Sequence, residues 1–245
     1  MSARLVLATA RRVLAQLRRD RRTVALLLVV PLLLLLLLRY VFTQQPAVFD
    51  RVGAPLLALF PFLTMFLVTS VAMLRERSSG TLERLLTTPL GKADLLLGYA
   101  LAFGLVAVAQ TVLASALALG PLGLDVAAGP LLVVVLAVLD ALLGTALGLL
   151  LSAFARTEFQ AVQFLPAFVL PQLLLCGLFA ARDAMAAPLR WLSAAFPLTY
   201  AVDGMQQLTV SGALTSDVVR DLVVVACCCL AALALGAATL PRRTA

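Results

Sequence analysis

Histidine is absent from this 245-residue chain, and with it goes the commonest general base and metal ligand at neutral pH. Charge is scarce as well. Asp, Glu, Lys and Arg make up 13% of the residues against 63% hydrophobic ones, and the mean hydropathy is +1.08. A soluble domain of this length cannot hide so much apolar surface, so the natural solvent is a bilayer. The four cysteines (Cys176, Cys227, Cys228 and Cys229) all lie in apolar runs. Their spacing suggests neither a zinc site nor a disulfide framework, and they read as small packing residues. The sequence lacks a G-x-x-x-x-G-K-S/T phosphate loop, an H-E-x-x-H pair, a histidine-containing triad and an acidic cluster placed for a metal. Hydrolysis of ATP in the P-loop manner is thereby excluded, and no catalytic constellation remains. The net charge of +7 comes from basic residues that gather by side of the membrane and form no nucleic-acid surface.

What is present is apolar sequence in membrane-length runs. Six runs are long enough to cross, at 24–42, 52–74, 95–119, 130–154, 159–181 and 222–240. Crossing takes about 20 residues of helix, and runs that are continuous rather than alternating predict helices. Ahead of them, residues 3–22 place Val6, Ala10, Val13, Leu14 and Leu17 on one helical face. Arg4, Arg11, Arg12, Arg18, Arg19 and Arg22 fall on the other. This predicts an amphipathic helix lying on an anionic leaflet, each cation contributing roughly 1 kcal/mol. A signal peptide is rejected, because no small-residue cleavage site follows Leu38 and further spans come later. Basic residues set the orientation. Seven Arg in the N-terminal segment, four cations in 75–94, Arg156, Arg242 and Arg243 share one side. Arg39, Arg51, Arg182, Arg190 and Arg220 occupy the other. The positive-inside rule puts both termini and the 75–94 segment in the cytoplasm.

Polar residues inside the spans are few. In the fourth, Asp140, Gly144, Gly148 and Ser152 recur at i+4 and form a stripe of polar and small residues. An ionised carboxylate near mid-membrane costs roughly 2.5–3.5 kcal/mol. Asp140 therefore admits two readings: it lines a wet pathway or pairs with a neighbouring helix, or it is neutral and only orients helices. Gly144 and Gly148 suit close helix packing, as does the Gly104, Thr111 and Ser115 face of the third span. The fifth span carries Gln160, Gln163, Pro166, Pro171 and Gln172, and its prolines predict a kink facing the interior. Pro55 and Pro61 make a weaker case for the second. Residues 182–221 are too apolar for a free loop and too broken to span. Pro188 and Pro197 each begin a short helix there, and Trp191 and Tyr200 suit the headgroup layer. An external re-entrant segment is expected, within one domain covering 1–245.

The polar island at 75–94 is organised differently. It holds Arg75, Arg77, Arg84 and Lys92 together with Glu76, Glu83 and Asp94. Leu82, Leu85, Leu86 and Leu90 share one face of a short helix. Thr81 can cap that helix, Glu83 suits its positive end, and Pro89 and Gly91 stop it. Two turns on a cytosolic loop cannot bury their leucines in lipid, so a protein partner is expected. Six spans without catalytic residues point to transport, with energy from an ion gradient or from another polypeptide. Midplane ion ligands and inverted repeats would mark a secondary transporter, and Asp140 alone is a thin candidate.

The run Arg75-Glu76-Arg77-x-x-Gly80-Thr81-Leu82-Glu83-x-Leu85-Leu86-x-Thr88-Pro89-Leu90, with Gly98 beyond it, resembles the signature loop of type-2 ABC-transporter permeases. This is the drug-, antibiotic- and polysaccharide-exporting branch that includes the daunorubicin-resistance permeases. The likeness extends to the amphipathic first helix, the six spans and the Phe196-Pro197-Leu-Thr-Tyr200-Ala-Val-Asp203 run. One departure is Arg77-Ser78-Ser79, where the family often carries a second acidic residue; Glu76 and Glu83 both stand as the principal acidic contact. The resemblance implies an all-α integral membrane protein with six transmembrane helices and a cytoplasmic coupling helix. That helix would dock on a separate ATP-binding subunit through Arg75, Glu76, Arg77, Gly80, Thr81, Leu82, Glu83, Arg84, Leu85, Leu86 and Pro89. It also implies two such subunits, which bind the ATP and Mg, no cofactor in this chain, and a second permease copy or a homologous permease. Helices two and five would line a path at the dimer interface, with Pro61, Thr64, Asp140, Gln160, Gln163 and Gln172 as candidates. The expected cargo is a hydrophobic or amphipathic small molecule. A polysaccharide or other lipid-linked cargo, an autonomous secondary transporter and a membrane-embedded enzyme are the alternatives.

Overall fold

Proline and aspartate set the beginnings of the helices. In the computed structural model, which describes residues 2–79 and 91–239, Asp20 ends α1 (Ala3–Arg19) and caps α2 (Arg21–Val41). Its Oδ1 accepts from the Thr23 amide at 3.1 Å and its Oδ2 from the Thr23 hydroxyl at 2.6 Å. Those bonds hold the Asp20 carboxyl below the usual carboxylate range. Prolines occupy the first turns of α3 (Pro46–Ser78) and α5 (Pro130–Leu151), where a missing N–H costs nothing. Between these two lies α4 (Lys92–Leu119), and α5 runs on through a 3-10 turn to Phe154. The fifth crossing is composite: α6 (Glu158–Phe164), a π turn over Leu165–Val169, and α7 (Leu170–Leu175). Two short helices, α8 (Ala187–Ala194) and α9 (Pro197–Val210), precede α10 (Ser216–Thr239). Among the described residues there is no strand, and six helical segments are long and apolar enough to cross a membrane.

The kink expected in the fifth span is the π turn. Pro166 offers no N–H to the Val162 carbonyl, and the helix widens there until it re-forms before Pro171. Two expected boundaries are corrected. The fifth span stops at Leu175 rather than at 181, because Gly177 takes a φ of +92°, which only glycine adopts without strain. The second is a 33-residue helix, about 50 Å long, well beyond the thickness of the hydrocarbon core. Arg75, Glu76 and Arg77 accordingly belong to its last turn, not to a loop. The two short helices begun by Pro188 and Pro197 are present. The second, α9, is wedged into the bundle, with Leu198, Ala201, Val202, Met205 and Leu208 buried.

Helices α3 and α5 form the hub. Their apolar windows are 56% and 61% buried, against 17% for α2, the α6–α7 crossing and α10, which leaves those three as the outer staves. Close approach explains the hub. A Cβ added at Gly144 would sit 2.5 Å from the Phe62 carbonyl, and one at Gly148 2.5 Å from that of Phe66. The small residues of the α5 stripe thus let its backbone touch α3. Helix α1 packs on α4 in the same way, with Thr9 and the Val6 carbonyl against Gly98. Thr9, Ala10 and Val13 are buried there, so part of the face expected to meet lipid meets protein instead.

Loop contacts sort the molecule into two ends. At one end lie α1, the end of α3, the start of α4 and the α5–α6 turn, joined by Ser2–Asp94, Arg77–Ser152 and Arg75–Glu158 contacts. At the other, Asp125 N meets Asp50 Oδ1, Arg39 Nε meets the Leu122 carbonyl, and Ala127 and Ala128 donate to the Thr209 and Leu208 carbonyls.

Candidate functional site

Successive residues on a helix point about 100° apart, so Arg75, Glu76 and Arg77 reach in three directions from one turn of α3. Arg75 forks onto Glu158 at the start of α6, with Nε to Oε1 at 2.8 Å and a second nitrogen to Oε2 at 3.0 Å. Glu76 pairs with Arg12 of α1 at 3.3 Å. Arg12 also donates to the Tyr99 hydroxyl of α4 at 2.6 Å and lies over that ring, 5.8 Å from its centroid. Arg77 donates to the Ser152 carbonyl at the end of α5 at 2.6 Å, a second donor beside the Ala155 amide of the 3-10 turn. One turn therefore ties together α1, α4, α5 and α6. The ties differ in strength. The Arg75 and Glu158 side chains are 60% and 52% exposed, a setting in which solvent screens an ion pair and it contributes little. Arg12 and Glu76 are 29% and 13% exposed and far less screened. Gly80, Thr81, Leu82, Glu83, Arg84, Leu85, Leu86 and Pro89, predicted for the coupling contact, lie outside the described residues.

The residues predicted for the path are dispersed. Asp140 is wholly buried, and neither carboxylate oxygen has a hydrogen-bond partner among the described residues. Gln172 is also wholly buried and donates to the Phe168 carbonyl, 3.2 Å away, in the stretch widened by the π turn. Gln160 and Gln163 are exposed on α6. Gln160 helps to close the α5–α6 turn, accepting from the Arg156 amide at 2.8 Å while its own amide donates to Thr157 at 3.2 Å. Pro61 is buried in α3, and Thr64 accepts from Gln110 of α4 at 2.7 Å. At the opposite end Arg182 pairs with Asp203, and burial pushes that carboxyl up while Arg182 opposes the shift. Gln207 reaches the wholly buried Asp221 at 3.1 Å, which joins α9 to α10.

Long α3 is thus anchored at one end, through groups on α1, α5 and α6. The sequence profile of the ABC-2 type transporter family matches residues 4–210. The chain belongs to that family. The ABC-2 chain is 29% identical over 147 residues to the probable multidrug ABC transporter permease YbhS of Escherichia coli, covering 60% of this chain and 39% of YbhS. It is 28% identical over 153 residues to the probable multidrug ABC transporter permease YbhR of the same organism, covering 62% of this chain and 42% of YbhR. A match at 23% identity to ABC transporter G family member 20 of Dictyostelium discoideum covers 66% of this chain and 22% of that protein. The ABC-2 chain thus aligns with about two-fifths or less of the length of these relatives.

Several residues of the ABC-2 chain's site escaped sequence reasoning. Periodicity assigns Arg12 to the basic face of the first helix, yet it turns toward Glu76 and Tyr99. Glu158 carried no signal beyond its place at a helix start. Gln110 did carry one. Pro31 deprives the Leu27 carbonyl of its helical donor, and Gln110 supplies the replacement at 2.9 Å. A lone amide in an apolar helix, set against a proline in another, was the legible clue.

Proposed function

We propose that this chain is the membrane permease of an ATP-driven exporter, with the fuel burned by a separate ABC ATP-binding subunit. The observation that carries the reading is the last turn of α3, anchored to four helices immediately before the sequence that resembles a coupling helix. A push on residues 80–90 would reach α3 first, and through its glycine-packed contact with α5 the whole hub. Two permease copies, or this chain with a homologous permease, would enclose a path, since α6 is exposed and presents Gln163 beside the Gln160 that closes its first turn. Two ATP-binding subunits would hold the ATP and Mg. The α1 end then faces the cytoplasm of the cell membrane, with α1 along the inner surface and both termini inside, as the distribution of arginine favours. The relatives named as multidrug permeases support a hydrophobic or amphipathic small molecule as cargo.

The test is Glu83→Arg. In membranes holding the permease with its ATPase, this variant should insert at the wild-type level while cargo-stimulated hydrolysis and export both fall to background. Wild-type stimulation in that variant, or export with the ATPase absent, removes the reading.

A further inference from the structure

A cleft of about 700 Å³ lies between α1, α2, α3 and α4, and takes in Thr64 but no residue of the α6–α7 crossing. Its walls are apolar, formed by Leu17, Leu26, Leu27, Val30, Leu67 and Val68 among others. Its polar groups sit almost wholly at one end, where Gln16, Asp20, Thr23, Arg75 and Glu76 form the rim. The deepest polar residue is Thr64, whose hydroxyl is already engaged by Gln110. Thr64 stands eleven residues along α3 from Arg75, about 16 Å at 1.5 Å per residue. That depth equals one leaflet, since the hydrocarbon core is about 30 Å thick. The shape is that of a slot for an acyl chain, apolar for one leaflet and polar only where a headgroup would sit.

Charge selects the headgroup. Both carboxylates of the rim are engaged: Glu76 through Oε1 by Arg12, its other oxygen being buried, and Asp20 by the amide and hydroxyl of Thr23. Next to Asp20 in the chain, though not in the cleft wall, Arg19, Arg21 and Arg22 are exposed at the α1–α2 junction, and none has an ion-pair partner among the described residues. The field at the mouth is therefore positive. We infer that the cleft between α1, α2, α3 and α4 binds one anionic phospholipid of the cytoplasmic leaflet, its chain against Leu26 and Val68 and its phosphate among Arg19, Arg21 and Arg22. The inference rests on the cytoplasmic placement of the α1 end proposed above. Bound there, the lipid touches both α1 and α3, the two elements joined by the Arg12–Glu76 pair, and stabilises the state in which they are packed.

The experiment is native mass spectrometry of the purified chain, stepwise delipidated and then re-equilibrated with equal amounts of phosphatidylglycerol, phosphatidylethanolamine and phosphatidylcholine of identical chains. The wild type should retain one lipid per chain, with phosphatidylglycerol preferred about fivefold, the effect of roughly one surface cation. The double variant Arg21→Gln/Arg22→Gln should bring that preference toward unity while the total retained stays the same. Leu26→Trp, at the exposed lip, and Val68→Trp, deeper in, should each lower total retention at least about threefold. The two positions keep the test valid if one variant folds poorly. Equal retention of the three lipids, a preference for a cationic probe such as tetraphenylphosphonium, or undiminished retention in both tryptophan variants overturns the proposal. None of these results bears on coupling to the ATPase, which stands or falls with Glu83→Arg.

Discussion

A buried side-chain amide and a proline on another helix make the sharpest statement at the scale of single residues. Pro31 leaves the Leu27 carbonyl without its i+4 donor inside an apolar bundle, where an unmet acceptor is expensive. Gln110 meets it and holds Thr64 with its other hydrogen, so a single amide joins α4 to α2 and α3. Gln110→Leu should destabilise the protein by about 1–3 kcal/mol, because it strands the carbonyl and removes two hydrogen bonds. Pro31→Ala should recover much of that loss, since it restores the backbone donor. Thermal unfolding of both single variants and the double variant closes the cycle, and strictly additive effects would show that the two residues are uncoupled. Asp140 is the contrasting case. The i+4 stripe revealed that it lies on the packed face of α5, but its unpaired state depends on which side chains the neighbouring helices bring opposite it. Position along one helix carries no information of that kind.

At the scale of helices, the six crossings were legible because continuous apolar runs leave no other spanning structure. The breaks were legible because Pro166 and Gly177 act locally. The length of α3 was not, since Arg75, Glu76 and Arg77 read as loop until their direct partners on α1, α5 and α6, and α4 beyond Arg12, are in view. Glycines divide in the same way. Gly144 faces only backbone atoms of Phe62, at 2.5, 3.0 and 3.1 Å from an added Cβ, and they cannot yield. Gly144→Ala should cost at least about 1–3 kcal/mol of stability through overpacking. Gly104 meets one methyl of Leu142 at 3.2 Å, so Gly104→Ala should be neutral or slightly stabilising as helix propensity improves. Melting temperatures in detergent rank the two. The cap of α2 responds to acid. Thr23 lowers the Asp20 pKa in the folded chain, so the cap contributes above the ordinary carboxylate range and is lost as pH falls through the lowered value. Amide protection in the first turn of α2 should therefore weaken on acidification in the wild type and stay level in Asp20→Asn, which retains a capping side chain.

At the scale of the molecule, the unequal ties at the end of α3 predict which parts move together. The Arg12–Glu76–Tyr99 contact is shielded and reinforced by the close packing of Thr9 on Gly98, so α1 and α4 should travel with α3 as one body. Arg75 and Glu158 form an exposed pair whose loss costs little, and α6 is lightly buried, so under the proposed mechanism α3 and α6 are the pair that separates. Two cross-links distinguish these joints in a background cleared of the native cysteines. Ser2→Cys with Asp94→Cys, at a contact of 3.1 Å between the Ser2 amide and the Asp94 carboxylate, should bridge α1 to α4 and leave export near the wild-type rate. Arg75→Cys with Glu158→Cys, bridged by a short bifunctional maleimide, should stop export relative to the same double variant left unbridged. On the proposed coupling, hydrolysis by the ATP-binding subunit should fall in parallel, since a hub held to α6 could not swing. Arrest by the first bridge and tolerance of the second would reverse the assignment, making α1 the moving element and α6 a fixed part of the hub.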